Sequence, residues 1–312
     1  MSEPAESRLT AWLLIGIPGL IWGASFLFIA EGLTAVGPAG VTFVRILVGF
    51  STLSLFPGSW KRIPREDWGA VALLGLVWLA FPLTMFPFAE QRVSSAVTGM
   101  LNAATPLFVT IIAAALARKL PSGGILGGLG LGILGAVLMA LPSVGEGASS
   151  AAGIGMILAA LLSYGVALNL ARPLQRRHGA LPVIWRAQMV ALLLTAPLGV
   201  PDVAKAHWSL VPVLSLLALG ALGTGVAFVI TAYATGRIGA ARASSTAFLF
   251  PPVALLLGVL VRHEHVAPLA LMGGAICLTG AWLMNRVQAG MQAQPVPVAR
   301  VAAASVSSPA GR

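Results

Sequence analysis

Ten apolar runs follow one another along this chain, and each approaches the ~20 residues that an α-helix needs to cross the hydrocarbon core of a bilayer. They lie at about 12–30, 39–57, 69–88, 94–117, 122–141, 152–170, 181–200, 209–230, 243–261 and 267–285. Lipid offers no water to satisfy backbone N–H and C=O groups, so a spanning segment is either a helix or part of a closed β-barrel. Barrel strands are short and alternate apolar with polar residues, whereas these runs are continuous. The chain reads as an all-α integral membrane protein. Composition agrees, with 58% hydrophobic and 9% charged residues against about 25% charged in soluble domains.

The opening "MSEPAESRLTAWLLIGIPGLIWGASFLFIA" is not read as a cleavable signal, because its flanking charges are mixed in sign and its apolar stretch is long. A single cysteine, Cys277, excludes an intrachain disulfide framework and a multi-cysteine metal cage. The tail at 287–312 is rich in Ala, Pro, Ser and Val without helical periodicity, and is expected to be disordered.

A net charge of +10 would suggest nucleic acid in a soluble protein. Here the cations sit in short loops, where they set topology. Arg8, Lys61, Arg62, Arg65, Arg118, Lys119, Arg172, Arg176, Arg177, Arg237 and Arg286 fall on the side shared by the N-terminus, the even-numbered loops and the tail. Arg92, Lys205 and Arg262 fall on the other. The positive-inside rule then puts both termini in the cytoplasm. Arg45, Arg186 and Arg242 lie within or at the edge of spans. Arginine far outnumbers lysine, which hints at a GC-rich bacterial genome and so at a bacterial inner membrane.

One segment occurs twice. "AEQRVSSAVTGMLNAATP" (89–106) is answered by "ATGRIGAARASSTAFLFP" (234–251), where Ala89, Arg92, Ala96 and Pro106 recur as Ala234, Arg237, Ala241 and Pro251. At the same offset, Gly128, Gly135, Ala136, Leu138 and Met139 recur as Gly273, Gly280, Ala281, Leu283 and Met284. Arg45 is matched by Arg186, and Trp22–Gly23 by Tyr164–Gly165. Five spans per copy is an odd number, so the second copy enters the membrane from the opposite side. The expected units are 1–145 and 146–286, two inverted five-helix repeats around a central cavity, followed by the tail. Inverted repeats of this kind characterise secondary transporters, which bind near mid-membrane at the repeat interface.

"WGASF" in the first span, an arginine inside the second, Ala-rich fourth and ninth spans with mid-span prolines, and Gly-rich fifth and tenth spans ending "GAVLM" and "GAWLM" form a familiar set. Together they resemble the drug/metabolite transporter superfamily, specifically its EamA-type members, over roughly 12–285. The resemblance implies helices 1–4 and 6–9 around a cavity, with helices 5 and 10 packed outside. It also implies export of small metabolites such as amino acids.

Several intramembrane polar residues are candidates for the cavity wall. Ser95, Thr98, Asn102 and Pro106 are spaced to share one helix face. Pro106 has no N–H, so the Asn102 carbonyl loses its helical donor in mid-membrane. Pro251 and Pro252 do the same to Ala247 and Phe248. These prolines are candidate kink or gating positions, and Asn102 is a candidate substrate contact; helix packing through small residues is the alternative, favoured for Ser244 and Ser245. Arg45 and Arg186 lie about two turns into their helices, where a charge needs a partner or water. Arg45 is either an anchor for a substrate anion or a structural group paired with Glu31 or Glu90. Its duplication as Arg186 favours structure. Trp78 and Tyr164 are nearer mid-span than Trp185, which lies near a helix start, and with Asn169, Gln188 and Thr224 complete the candidate set.

No GxxxxGK[ST] occurs, which argues against an ATP-driven pump within this chain. "RHEHV" (262–266) is not HExxH and reads as a loop rather than a metal site. Neither GxSxG nor an intramembrane aspartate pair is present, so catalytic residues are not assigned. An intramembrane enzyme and a channel remain the competing readings beside a transporter of drugs or other metabolites. The expected partners are a small-molecule substrate and the lipid bilayer, without nucleic acid; a homodimer stays open, and no cofactor is expected.

Overall fold

The computed structural model describes residues 5–239 and 243–293. Ala241, Arg242 and the tail from residue 294 lie outside them, as does the side chain of Ser244. Every span is helical: α1 Ala5–Gly32, α2 Pro38–Ser54, α3 Arg65–Glu90, α4 Ser95–Ala117, α5 Gly123–Gly145, α6 Ala148–His178, α7 Ala180–Ala204, α8 Leu210–Ile238, α9 Ser245–Arg262 and α10 Pro268–Ala293. Among the described residues all but α2 have the length and apolarity to cross a membrane, and α2 is a shorter apolar helix of 17 residues.

Local chemistry accounts for the boundaries. Pro38 opens α2, where its missing N–H costs nothing. Pro57 starts a 3-10 turn, Pro57–Trp60, and stops α2 short of the expected residue 57. Ser94 caps α4, its hydroxyl accepting from the Val97 amide at 3.3 Å. Gly179, at φ +86°, separates α6 from α7 without a loop, a conformation that favours glycine. The helix α10 runs on through Ala293, past the point where the sequence places the start of the tail.

The two halves are inverted and interleaved. Helix α2 packs on α7 and α8, α4 on α6 and α9, and α1 on α8 and α9, so much of the core lies between copies rather than within them. The repetition reaches the backbone torsions. Helix α4 is followed by Arg118 at φ +50°, and α9 by its counterpart His263 at φ +53°.

Helices α5 and α10 pair most extensively with each other, along matched glycines. A Cβ added to Gly135 would lie 2.6 Å from the Gly273 oxygen, and one added to Gly273 equally close to the Gly135 oxygen. Gly280 stands in the same relation to the Gly128 oxygen. The backbones therefore touch, the contact that small-xxx-small spacing permits. The other faces of α5 leave Leu126, Ile133, Leu134 and Val137 exposed for lipid.

Candidate functional site

Four breaks in helical regularity lie between the repeats, in matched pairs. Helix α3 widens to a π segment at Gly75–Ala80, and α8 does so at Leu219–Val226. Helix α4 tightens to a 3-10 turn at Asn102–Ala104 just before Pro106, and α9 does so at Ser244–Leu249 just before Pro251. A π segment carries an extra residue in its turn and releases carbonyls from the regular ladder, and such bulges recur at functional sites.

Side chains answer those carbonyls, two of them from the opposite repeat. Trp22 Nε1 on α1 donates to the Gly223 oxygen at 2.8 Å. Ser163 on α6, beside Trp22's counterpart Tyr164, donates to the Val77 oxygen at 2.6 Å. Gln188 Nε2 on α7 reaches the Thr224 oxygen at 2.6 Å.

Around these contacts the aromatic rings converge. Trp22 meets Phe228 and Phe250 edge-on, with centroids 5.5 and 5.6 Å apart, and Trp78 meets Phe228 at 5.7 Å. Phe86 links Phe26, at 5.7 Å, to Tyr164, at 6.0 Å. Rings from α1, α3, α6, α8 and α9 thus form two adjoining clusters, an apolar wall with π faces that suits a small amphipathic ligand.

The expected site residues separate into groups. Arg45, Gln188 and Thr224 come together: Arg45 Nε donates to Thr224 Oγ1 at 2.8 Å, and that hydroxyl donates on to the Leu219 oxygen at 3.2 Å. All three are buried, and the Gln188 Oε1 has no partner among the described residues. Trp78 and Tyr164 belong to the aromatic clusters. Asn169 clamps helices, its Nδ2 donating to the Val109 oxygen of α4 and the Gly165 oxygen of α6, at 3.0 and 2.8 Å.

Asn102 behaves differently from the expectation that its carbonyl is left without a donor. The Thr105 hydroxyl donates to the Asn102 carbonyl at 2.8 Å or to Oδ1 at 2.9 Å, and the Thr105 amide closes the 3-10 turn on the same carbonyl. No described hydrogen bond joins Asn102 to the Arg45 group. Pro106 and Pro251 each occupy the first turn of the helix that follows a 3-10 segment. Pro251 is buried, whereas Pro252 is exposed. Arg186 is held apart, near the Pro182 and Ser59 carbonyls and 5.4 Å from the Trp185 ring.

Two cavities open at opposite ends. One, of about 420 Å³, is lined by Glu90, Arg92, Ser94, Ser95, Arg262 and Glu264 among others. The second, of about 540 Å³, lies by Arg62, Arg65, Trp68 and Arg186. At the glutamate-bearing end, Glu264 caps α4: its carboxylate accepts from the Ser95 and Ala96 amides at 3.1 and 2.8 Å and from the Ser95 hydroxyl at 2.8 Å. Arg262 bridges Glu31 at 2.5 Å and Glu264 at 3.4 Å. At the arginine-rich end Asp67 holds Arg177 and His178, at 3.1 and 2.6 Å. Sequence reading missed Phe228, Phe250, Ser163 and the role of Glu264. Only Trp22 carried a signal, through its pairing with Tyr164 in the repeat.

Ten helices in two inverted copies, with matched breaks and an aromatic interior, define a multi-pass membrane protein built on an internal repeat. The EamA-like transporter family matches residues 9–141 and again 151–286. The chain belongs to that family. It is 29% identical over 281 residues to a probable terminal-alkyne amino-acid exporter of Streptantibioticus cattleyicolor, covering 88% of this chain and 93% of that protein. It is 28% identical over 276 residues to the uncharacterized transporter YdfC of Bacillus subtilis, covering 86% and 87%. A crystal structure with 17% identity superposes with a TM-score of 0.64, covering 93% of this chain and all of that one, a likeness of fold alone.

Proposed function

We propose that this transporter is a secondary carrier that exports small metabolites such as amino acids across a bacterial inner membrane by alternating access, with both termini in the cytoplasm. The single observation that carries the mechanism is the matched pairing of π and 3-10 breaks in α3 with α8 and α4 with α9. Helix breaks at equivalent depths give each repeat, 1–145 and 146–286, a place to bend against the other, and inverted repeats exchange conformations across the membrane in that way. The arginine-rich loops support the orientation, and the naming of one relative as a probable amino-acid exporter supports the substrate class.

In this reading the faces of Trp78 and Tyr164 receive the apolar part of the substrate, and Asn102 and the unpartnered Gln188 Oε1 offer polar contacts. Arg45 holds α2 against the π segment of α8. The test is counterflow in proteoliposomes: vesicles loaded with a single unlabelled amino acid, assayed across the set, should take up the same labelled compound transiently and saturably. An unsaturable flux would favour a channel, and a chemically altered product would favour an enzyme.

A further inference from the structure

The cavity at the glutamate-bearing end contains one acid that nothing around it serves. The other charged groups that line it are committed. Arg92 turns an Nη onto the Phe88 oxygen at 2.6 Å. Arg262 lies between Glu31 and Glu264. Glu264 is taken up by the first amides of α4 and by Ser95, and the Ser94 hydroxyl caps the same helix. Glu90, at the end of α3, lines this cavity, yet both its carboxylate oxygens are buried and accept no hydrogen bond.

A buried carboxylate without donors is strongly disfavoured as an ion and takes up a proton instead. The charges facing Glu90 are Glu264, Arg262 and Arg45, with Arg92 two residues further on. Both arginines beyond its own loop are already engaged, Arg262 with two glutamates and Arg45 with Thr224. The arrangement differs from that of a structural ion pair, in which the acid would hold one of these guanidinium groups.

We propose that Glu90 is the proton-binding site of this transporter, loaded and unloaded through the cavity at the glutamate-bearing end. In the arrangement described, the carboxylate has combined with a proton from the adjoining solution and is a neutral acid. When that end opens, water or Arg92 reaches the carboxyl group, the proton returns to solution, and the carboxylate is left ionised. Closure of this end and protonation of Glu90 are therefore linked, so that low pH favours the closed arrangement of this end and high pH the open one. The proposal rests on the carrier reading only where that closure is a step of transport.

The experiment is an infrared titration of the full-length protein in liposomes. Wild type should show a protonated-carboxyl band that disappears as pH rises, and Glu90→Gln should lose it. Glu66→Gln, an exposed acid at the other end, should keep it. Glu90→Asp should retain the band with a shifted midpoint, which settles the matter if the Gln variant fails to fold. A band unchanged in Glu90→Gln, or unshifted in Glu90→Asp, overturns the assignment. In a second arm, counterflow of whichever amino acid is carried should slow as pH falls through the midpoint of the band, and Glu90→Gln should lose that pH dependence. An unchanged pH dependence in the variant would overturn the link between protonation and closure. If none of the amino acids is carried, the export reading fails while the spectral result still decides the proton site.

Discussion

Arg45 Nε donates to Thr224 Oγ1 at 2.8 Å, tying the second helix of one repeat to the π segment of the eighth in the other. Close packing surrounds the bond. A Cβ on Gly49 would lie 2.7 Å from the Thr224 Cβ, and one on Gly220 would lie 2.9 Å from the Arg45 oxygen. Thr224→Val keeps the shape and removes the acceptor. It should destabilise the protein by about 1.5–3 kcal/mol, the scale of a hydrogen bond to a charged group, and Arg45→Ala should lower folded yield. Thermal unfolding in detergent measures both. Normal yield with lost substrate binding in Arg45→Ala would make this arginine an anchor for the substrate instead.

Pro106 stands in the first turn of a helix, where proline is tolerated. Pro106→Ala should therefore leave insertion and stability nearly unchanged. It should slow transport, because an alanine at this point lets the 3-10 turn relax into continuous helix. Asn102→Leu should weaken substrate binding while keeping the fold. Wild-type transport rates and affinities in both variants would assign this segment to packing.

Gly135→Ala places a methyl group against the backbone of α10, 2.6 Å from the Gly273 oxygen. Overpacking of this kind costs about 1–3 kcal/mol, so the unfolding temperature should fall. Substrate affinity should hold, since α5 and α10 contribute none of the aromatic rings. Gly128→Ala, whose Cβ would lie 2.9 Å from the Gly280 oxygen, should behave in the same way.

Orientation is tested by reporters. Fusions at Arg65, Arg177 and the tail should read as cytoplasmic, and fusions at Glu146 and Lys205 as external. Termini found on opposite sides would defeat the assignment of both to the cytoplasm.

Much of the architecture was legible because the membrane enforces it. Continuous apolar runs name the helices, and the recurrence of Gly128 and Gly135 as Gly273 and Gly280 marks the fifth and tenth as a matched pair. The site was less legible. That Phe228 faces Trp22 and Trp78 depends on the rotation of α8, which its π segment resets, and an apolar run carries no sign of where a turn widens. The Thr105 hydroxyl is likewise hidden in the sequence: Pro106 removes the regular helical donor of the Asn102 carbonyl, and only the 3-10 turn brings this hydroxyl and the Thr105 amide to it. Glu264 looked like part of a histidine-rich loop, and only folding brings it to the amides of Ser95 and Ala96.

The π segments of α3 and α8 belong to the repeated pattern rather than to either copy alone. Gly75 and Gly220 open or lie in these segments at the same offset that separates Pro106 from Pro251. Widened and tightened turns therefore follow in the same order along both copies, the π segment one helix before the 3-10 turn and its proline, so each half carries its own complete pair of breaks.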